Sequence, residues 1–348
     1  MMENCFEINE NLLTALDEYH EKTMLMEKHV IEKISYNFNL ERKINDDLIF
    51  NVPIYDMGSR KYAAFCSLLE ALIKKDKDVK GNGKFFSHVN ISSDFDIFML
   101  FYLFRLCGSG INYNPIKSNN SINDILGTHG FGNFWVIDSL LEGKYTWKEW
   151  KQDLINLDKS FTNNKGYLLP QFSFPGMSNG HLKKFILDYS EDLVLNIYNK
   201  VNNTRLDIYQ VTDFGNNILK NLSFKKQNFV LTAFAADISE YYPNMVNPKG
   251  MVYAGTNATN CIKAIFPKKN KKVKEFDYIN EVLQFQSKRY GLNPIDCEDS
   301  RNCDPVRYFK EYQSKEHIEK NKGITYKNNS ILKSLIGEEK YYSFAQNL

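Results

Sequence analysis

The segment Asp94–Cys107 is apolar on almost every side of a helix, and it restricts the fold more than any other stretch of the chain. A helix of this kind is stable only when other elements surround it. Apolar residues recur at helical intervals over 181–199, and the segment 229–241 is apolar and rich in alanine. We predict helices over both segments and over 213–222, 277–290 and 305–320. Alternation typical of a strand is weak and is clearest over Leu206–Val211. We therefore predict a mostly α fold with few or no strands.

The length of 348 residues and the hydrophobic content of 43% are enough for one large domain or two ordinary ones. We predict an N-terminal helical region over 1–95, a helical core over 96–320 and a C-terminal extension over 321–348. The six cysteines are scattered without a Cys-x-x-Cys pair, which favours free thiols in a reducing compartment. The longest apolar stretch, Ile97–Phe104, is too short to cross a bilayer. We expect a cytoplasmic protein with no membrane association and no obligatory protein partner.

The stretch Val252–Phe266 contains a Gly-Thr-Asn corner followed by an amphipathic helix, and a run of lysines comes next. Gly255 and Asn257 can adopt positive φ at low cost, so a tight turn is expected to direct backbone N–H groups outward. Such groups at a helix N-terminus bind phosphate, and lysines beside them bind neighbouring phosphates. The predicted DNA-binding residues are Gly255, Thr256, Asn257, Thr259, Lys263, Lys268, Lys269 and Lys271. The alternative is an ordinary turn and helix with a solvated lysine run.

The overall charge makes this basic segment informative. There are 44 basic and 42 acidic residues, a net charge of +2, so a nucleic-acid surface has to be a local patch. Signatures of P-loop, Ser-nucleophile and zinc enzymes are absent from the sequence, and we expect no metal and no cofactor.

Carboxylates are the remaining candidates for catalysis. Glu298 and Asp299 lie in a charged stretch between two predicted helices, and Asp237 lies within an apolar helix. Cleavage of a base from its sugar builds positive charge on the sugar ring, and a carboxylate stabilises that charge or positions a water. A helix cap or a salt-bridge cluster is the structural alternative for each of these acids.

The corner resembles the hairpin of the helix-hairpin-helix DNA glycosylase superfamily, in which Pro-Gly-Val-Gly precedes a helix and Asn257 here replaces the second glycine. An essential aspartate of that superfamily follows the hairpin at a spacing that Asp277, eighteen residues after Thr259, reproduces. An ordered series of blocks resembles one branch, the α-glutamyl/putrescinyl-thymine pyrophosphorylase-like proteins of phages with hypermodified pyrimidines. These blocks are 103–110, 132–135, 234–243, 253–258, and 296–300 together with 304–308.

The resemblance implies an enzyme that acts on a modified base in double-stranded phage DNA. An anti-phage glycosylase similar to this branch removes a glucosylated base after flipping it into a pocket, which leaves an abasic site. The resemblance implies catalytic roles for Glu298, Asp237, Asp299 and Asp277, and it places Asn133, Trp135 and Tyr242 in the base pocket. For the two aromatic residues, burial in the core is the alternative.

Three functions remain open at this point. The first is a monofunctional glycosylase, since no lysine in the matched blocks stands out as a Schiff-base nucleophile. The second is a transferase that exchanges the substituent on 5-hydroxymethyl-pyrimidine in DNA. The third is a non-catalytic helical DNA-binding module, which needs the lysines but not Glu298 or Asp237.

Overall fold

The computed structural model describes residues 5–14, 16–17, 20, 91, 93–108, 135–157 and 179–303. These residues are mostly helical, with two strands of two residues each, so the predicted fold class is confirmed. They form two compact units. Of the described residues, 5–20 and 254–303 belong to unit 1, and 91–253 belong to unit 2. The predicted boundary after residue 95 falls inside the helix Asp94–Leu103, and the predicted division into three regions stays a prediction.

Unit 2 consists of helices and one small sheet. Its helices are α1 (Asp94–Leu103), α2 (Trp135–Leu141), α3 (Trp147–Asn156), α4 (Asn179–Phe185), α5 (Glu191–Asn203), α6 (Ile208–Asn221) and α7 (Asn228–Tyr241). Two π-helical segments continue the helices before them, π1 (Phe104–Gly108) and π2 (Ile186–Ser190). Strands β1 (Leu206–Asp207) and β2 (Val246–Asn247) pair in parallel, with Leu206 opposite Val246.

Helix α1 is the buried helix that its apolar sequence predicts. Residues 96–103 are all buried, and the helix packs against α5 and α7. The Ser93 side chain caps its N-terminus by accepting a hydrogen bond from the Asp96 amide. Asp96 Oδ1 in turn accepts a hydrogen bond of 2.7 Å from the Trp147 amide, at the start of α3. Burial raises the pKa of Asp96. A polar contact thus fixes the start of α1 to the start of α3.

The predicted strand over Leu206–Val211 is wrong beyond its first two residues. Asp207 accepts a hydrogen bond of 2.7 Å from the Gln210 amide, while Gln210 Oε1 accepts one of 2.9 Å from the Asp207 amide. This reciprocal capping box starts α6 at Ile208. Helix α6 therefore begins five residues before the predicted helix at Asp213.

Glycine is required at position 250 because the backbone there lies close to Asp207, the residue that caps α6. A Cβ atom at position 250 would lie 2.2 Å from the Cβ atom of Asp207. We expect Gly250→Ala to lower the free energy of unfolding of unit 2 by about 1–3 kcal/mol, because one of the two backbones has to move. Urea unfolding measures this change. The control is Lys249→Ala at an exposed position, and equal stability of the two variants would contradict the prediction.

Unit 1 contains α8 (Thr256–Ile265), α9 (Glu275–Tyr290), the short α10 (Pro294–Asp296) and a third π-helical segment, π3 (Cys297–Cys303). Residues 10–14, 16–17 and 20 are also helical. Apolar side chains of α8 and α9 are buried together with those of residues 5–16. Helix α9 ends at Gly291, whose φ of 68° is the left-handed conformation that glycine adopts most easily. Within the described part of the chain, no helix has the length and apolar character needed to span a membrane.

His20 is a buried histidine beside π3. It is 2% exposed, and its Nε2 lies 3.3 Å from the carbonyl oxygen of Arg301. Burial, and then the nearby Arg301 charge, hold the pKa of His20 well below its usual value of 6.5. As the pH falls below 6.5, the unfolded chain takes up a proton at this position that the folded chain does not. Stability is therefore lost as the pH falls.

We expect this effect to cost about 1 kcal/mol of unfolding free energy between pH 7 and pH 5.5. The variant His20→Gln keeps a polar group that can contact the Arg301 carbonyl but cannot titrate in this range. Its unfolding free energy should therefore change less over the same interval. Urea unfolding of both proteins at the two pH values tests this, and an identical pH dependence would contradict the assignment.

Candidate functional site

The predicted corner and one predicted acid meet in unit 1. Glu298 Oε1 accepts a hydrogen bond of 2.7 Å from the backbone N–H of Gly255, the N-cap residue of α8. Glu298 lies in π3, which packs against α8, and it is 9% exposed. A carboxylate is favoured there because the N-terminal end of a helix carries partial positive charge.

The corner reaches this position without the expected left-handed turn. Gly255 has φ −68° and ψ 168°, which is extended backbone, and Asn257 lies inside α8. Among the described residues, positive φ occurs only at Gly143, Ser223 and Gly291. The helix thus starts as predicted, but the prediction of positive φ at Gly255 and Asn257 is wrong. A Cβ atom at position 255 would lie 3.4 Å from Glu298 Oε1, an ordinary van der Waals distance, so neither the backbone conformation nor the available space requires glycine at this position.

The rest of the predicted DNA-binding set lies on α8 and the segment after it. Thr256 is exposed, and Thr259 donates its backbone N–H to the Gly255 carbonyl inside the helix. Lys263 forms an ion pair of 2.7 Å with Glu275. Three further lysines follow. Lys268 is half-buried, and its Nζ lies 5.9 Å from the centre of the Tyr278 ring. Lys269 and Lys271 are exposed. These lysines form a basic surface of unit 1.

The remaining two predicted acids of unit 1 have different exposures. Asp299 follows Glu298 in π3 and is half-buried, whereas Asp277 is exposed in the first turn of α9. An acidic residue in a first turn stabilises a helix through its dipole. Cys297, next to Glu298, is buried, and burial raises the pKa of its thiol to about 12. In the described ranges, no three His, Cys, Asp or Glu side chains are grouped closely enough to hold a metal ion.

Asp237 belongs to unit 2, where it forms a buried ion pair. Arg105 donates two hydrogen bonds of 2.6 Å to its carboxylate, from Nε to Oδ2 and from Nη2 to Oδ1. The side chains are 12% and 1% exposed. Arg105 lies in π1 and Asp237 in α7, so the pair joins two elements of the unit. A charge at the end of a buried helix needs a partner of opposite sign, and Asp237 is that partner for Arg105.

Both aromatic residues predicted for the base pocket and described by the structure take part in internal contacts. Trp135 is 3% exposed and donates from Nε1 to the Trp150 carbonyl at 2.7 Å. Tyr242 is half-buried against Phe98, with ring centres 5.4 Å apart, and its hydroxyl donates to Asp94 at 2.9 Å. Burial and then Asp94 raise the pKa of Tyr242. The third pocket residue, Asn133, and the predicted helix 305–320 lie outside the described residues.

No protein-family model, curated protein or solved structure matches this chain. The resemblance to helix-hairpin-helix glycosylases therefore stays a prediction. The arguments that follow depend on the contacts of the described residues.

Proposed function

We propose that this protein is a monofunctional DNA glycosylase that removes a bulky modified pyrimidine, such as a glucosylated base, from phage DNA in the cytoplasm. The observation that carries the proposal is the contact between Glu298 and the backbone N–H of Gly255 at 2.7 Å. It brings a carboxylate to the start of the helix that precedes the basic segment. No cofactor and no metal take part in the proposed reaction.

The basic surface supplies the DNA contact in this proposal. Residues 267–274 contain five lysines and no acidic residue. Lysines that contact phosphates release counterions, so the affinity falls steeply as the salt concentration rises. Thr256 and the first turn of α8 contribute backbone N–H groups near the same strand of DNA. The contact is independent of sequence, which suits an enzyme that selects its substrate by the modification.

The carboxylate of Glu298 supplies the chemistry. The C1′–N bond of the flipped nucleotide breaks, and its electron pair leaves with the base, which takes a proton. Water forms the new bond to C1′ and loses a proton, so the products are the free base and an abasic site. A carboxylate near C1′ stabilises the positive charge that develops on the sugar. Glu298 therefore has to exchange its contact with Gly255 for one with the sugar or the attacking water.

Glucosylated phage DNA and unmodified DNA of the same sequence, each incubated with the protein, test the proposal. Treatment with alkali or with an abasic-site endonuclease then converts abasic sites into breaks. Fragmentation of the modified DNA alone is the expected result. Intact DNA whose bases have changed in mass would indicate that the protein is the group transferase and not a glycosylase.

A non-catalytic DNA-binding module is the second candidate, and two contacts favour it. Glu298 caps α8 and Asp237 neutralises Arg105, so each acid has a structural role without catalysis. Intact, unaltered DNA together with salt-sensitive binding would establish this candidate and exclude both enzymes.

A further inference from the structure

We infer that the extended segment Cys5–Asn9 is a positioning strand that fixes the basic segment 267–274 of unit 1. One consequence of the inference rests on the proposed function: the lysines are held in place before DNA binds. The ordering of the basic segment by the strand is independent of DNA.

Backbone hydrogen bonds connect the positioning strand to the start of the basic segment. Glu7 donates to the Pro267 carbonyl at 2.9 Å, and Asn9 donates to the Ile265 carbonyl at 2.7 Å. In the opposite direction, Lys269 donates to the Cys5 carbonyl at 2.9 Å. Phe6 and Lys268 form an antiparallel bridge between these bonds. The pattern is that of a short antiparallel ladder, in which alternate residues exchange hydrogen bonds with the partner strand.

Side-chain packing anchors the positioning strand to α9. Phe6 is 5% exposed, and its ring centre lies 5.4 Å from that of Phe266 and 5.5 Å from that of Phe285, both edge to face. The Cys5 amide also donates to Glu281 Oε1 at 3.1 Å. Aromatic pairs of this geometry stabilise a core beyond their buried area. The strand is thus held by the helix that follows the basic segment.

The basic segment needs such support because its own charges oppose order. Lys269, Lys271, Lys272 and Lys274 are exposed and carry the same charge. The ion pair of Lys263 with Glu275 spans the segment, but its side chains are 46% and 63% exposed. Exposed ion pairs of this kind contribute little to stability. Holding the lysines in place before binding reduces the conformational entropy that DNA binding would otherwise remove.

The variants Glu7→Pro and Glu7→Ala test the inference as a matched pair. Both remove an exposed side chain, but only proline also removes the N–H that donates to Pro267. We expect Glu7→Pro to increase hydrogen exchange at the Lys269 amide and to weaken DNA binding, each by about 3- to 10-fold, the effect of one lost hydrogen bond. Glu7→Ala should match the wild type in hydrogen exchange, and it is the reference for the DNA affinity of Glu7→Pro, because both variants lose the same negative charge near the lysines. Phe6→Ala, with Phe6→Leu as its control, tests the anchor in the same way.

The two measurements separate this inference from the proposed function. Unchanged exchange at Lys269 in Glu7→Pro would overturn the inference, whatever the protein does with DNA. Faster exchange with unchanged DNA affinity would support the ordering role and overturn its consequence for DNA binding, since the lysines would then bind DNA without depending on the strand. Faster exchange in a protein whose wild type does not bind DNA would support the ordering role and refute the proposed function. Unchanged exchange in the middle of α8 and α9 shows that unit 1 of the variants remains folded.

Discussion

Glu298→Gln is expected to slow release of the modified base by about 100-fold or more, the range lost when one group that stabilises charge in the transition state is removed. Glutamine keeps a side-chain oxygen that can accept the hydrogen bond from the Gly255 amide, so α8 retains its cap. It removes the negative charge that stabilises the sugar in the proposed transition state. Single-turnover measurement of alkali-sensitive sites in glucosylated DNA gives the rate.

The control for this variant is Glu240→Gln, which neutralises an exposed acid of α7. It should release the base at the wild-type rate. The affinity of Glu298→Gln for DNA should be equal to or higher than that of the wild type, because the change removes a negative charge near phosphates. A release rate within threefold of the wild type would exclude Glu298 as the catalytic acid. Asp299→Asn and Asp277→Asn, assayed in parallel, then identify whether a neighbouring acid has that role.

Arg105→Ala is expected to lower the free energy of unfolding of unit 2 by about 3–5 kcal/mol, the usual cost of breaking a buried ion pair from one side. The Asp237 side chain is 1% exposed and accepts two hydrogen bonds from Arg105. Without the guanidinium, its charge remains buried next to π1 with much less compensation. Urea unfolding followed by circular dichroism measures the loss. The unfolding free energy of Arg105→Lys should fall between those of the wild type and Arg105→Ala, since an ammonium cannot donate in the same bidentate geometry.

Arg205→Ala is the matched control, because Arg205 is exposed and donates to the Pro243 carbonyl at 3.1 Å. Its cost should stay within about 0.5 kcal/mol. The double variant Arg105→Met with Asp237→Leu should recover much of the stability, since both charges are then removed together. If Arg105→Ala costs less than about 1 kcal/mol, the pair does not hold π1 to α7. Urea unfolding of Asp237→Asn, measured in the same way, shows whether a loss of activity in that variant reflects chemistry or unfolding.

The ends of α7 and α9 could be predicted from the sequence to within one or two residues. The prediction over 229–241 corresponds to α7 at Asn228–Tyr241, and that over 277–290 corresponds to α9 at Glu275–Tyr290. The local sequence is sufficient here, because each helix is one continuous stretch of chain with a breaker after it, Pro243 after α7 and Gly291 after α9. The cap of α3 is local as well, since Thr146 and Glu149 form a capping box within four residues.

The error at the start of α6 was avoidable from the sequence. Asp207 and Gln210 have the spacing of a capping box, and this signal competes with the β-branched residues that suggested a strand. The π-helical conformation of π1 and π3 had no such signal. These two segments carry Arg105 and Glu298, whose partners lie 132 and 43 residues away in the sequence.

The sequence by itself determined that the chain is mostly α, that a helix follows the Gly-Thr-Asn corner, and that the lysines after it form a local basic segment. Only the tertiary structure decided that Glu298 caps this helix, that Asp237 pairs with Arg105, and that Cys5–Asn9 lies beside residues 265–269. The physical reason is the separation along the sequence over which each interaction acts. Periodicity and capping depend on neighbours within one or two turns, whereas the partner of a buried charge or an extended strand depends on how distant segments pack.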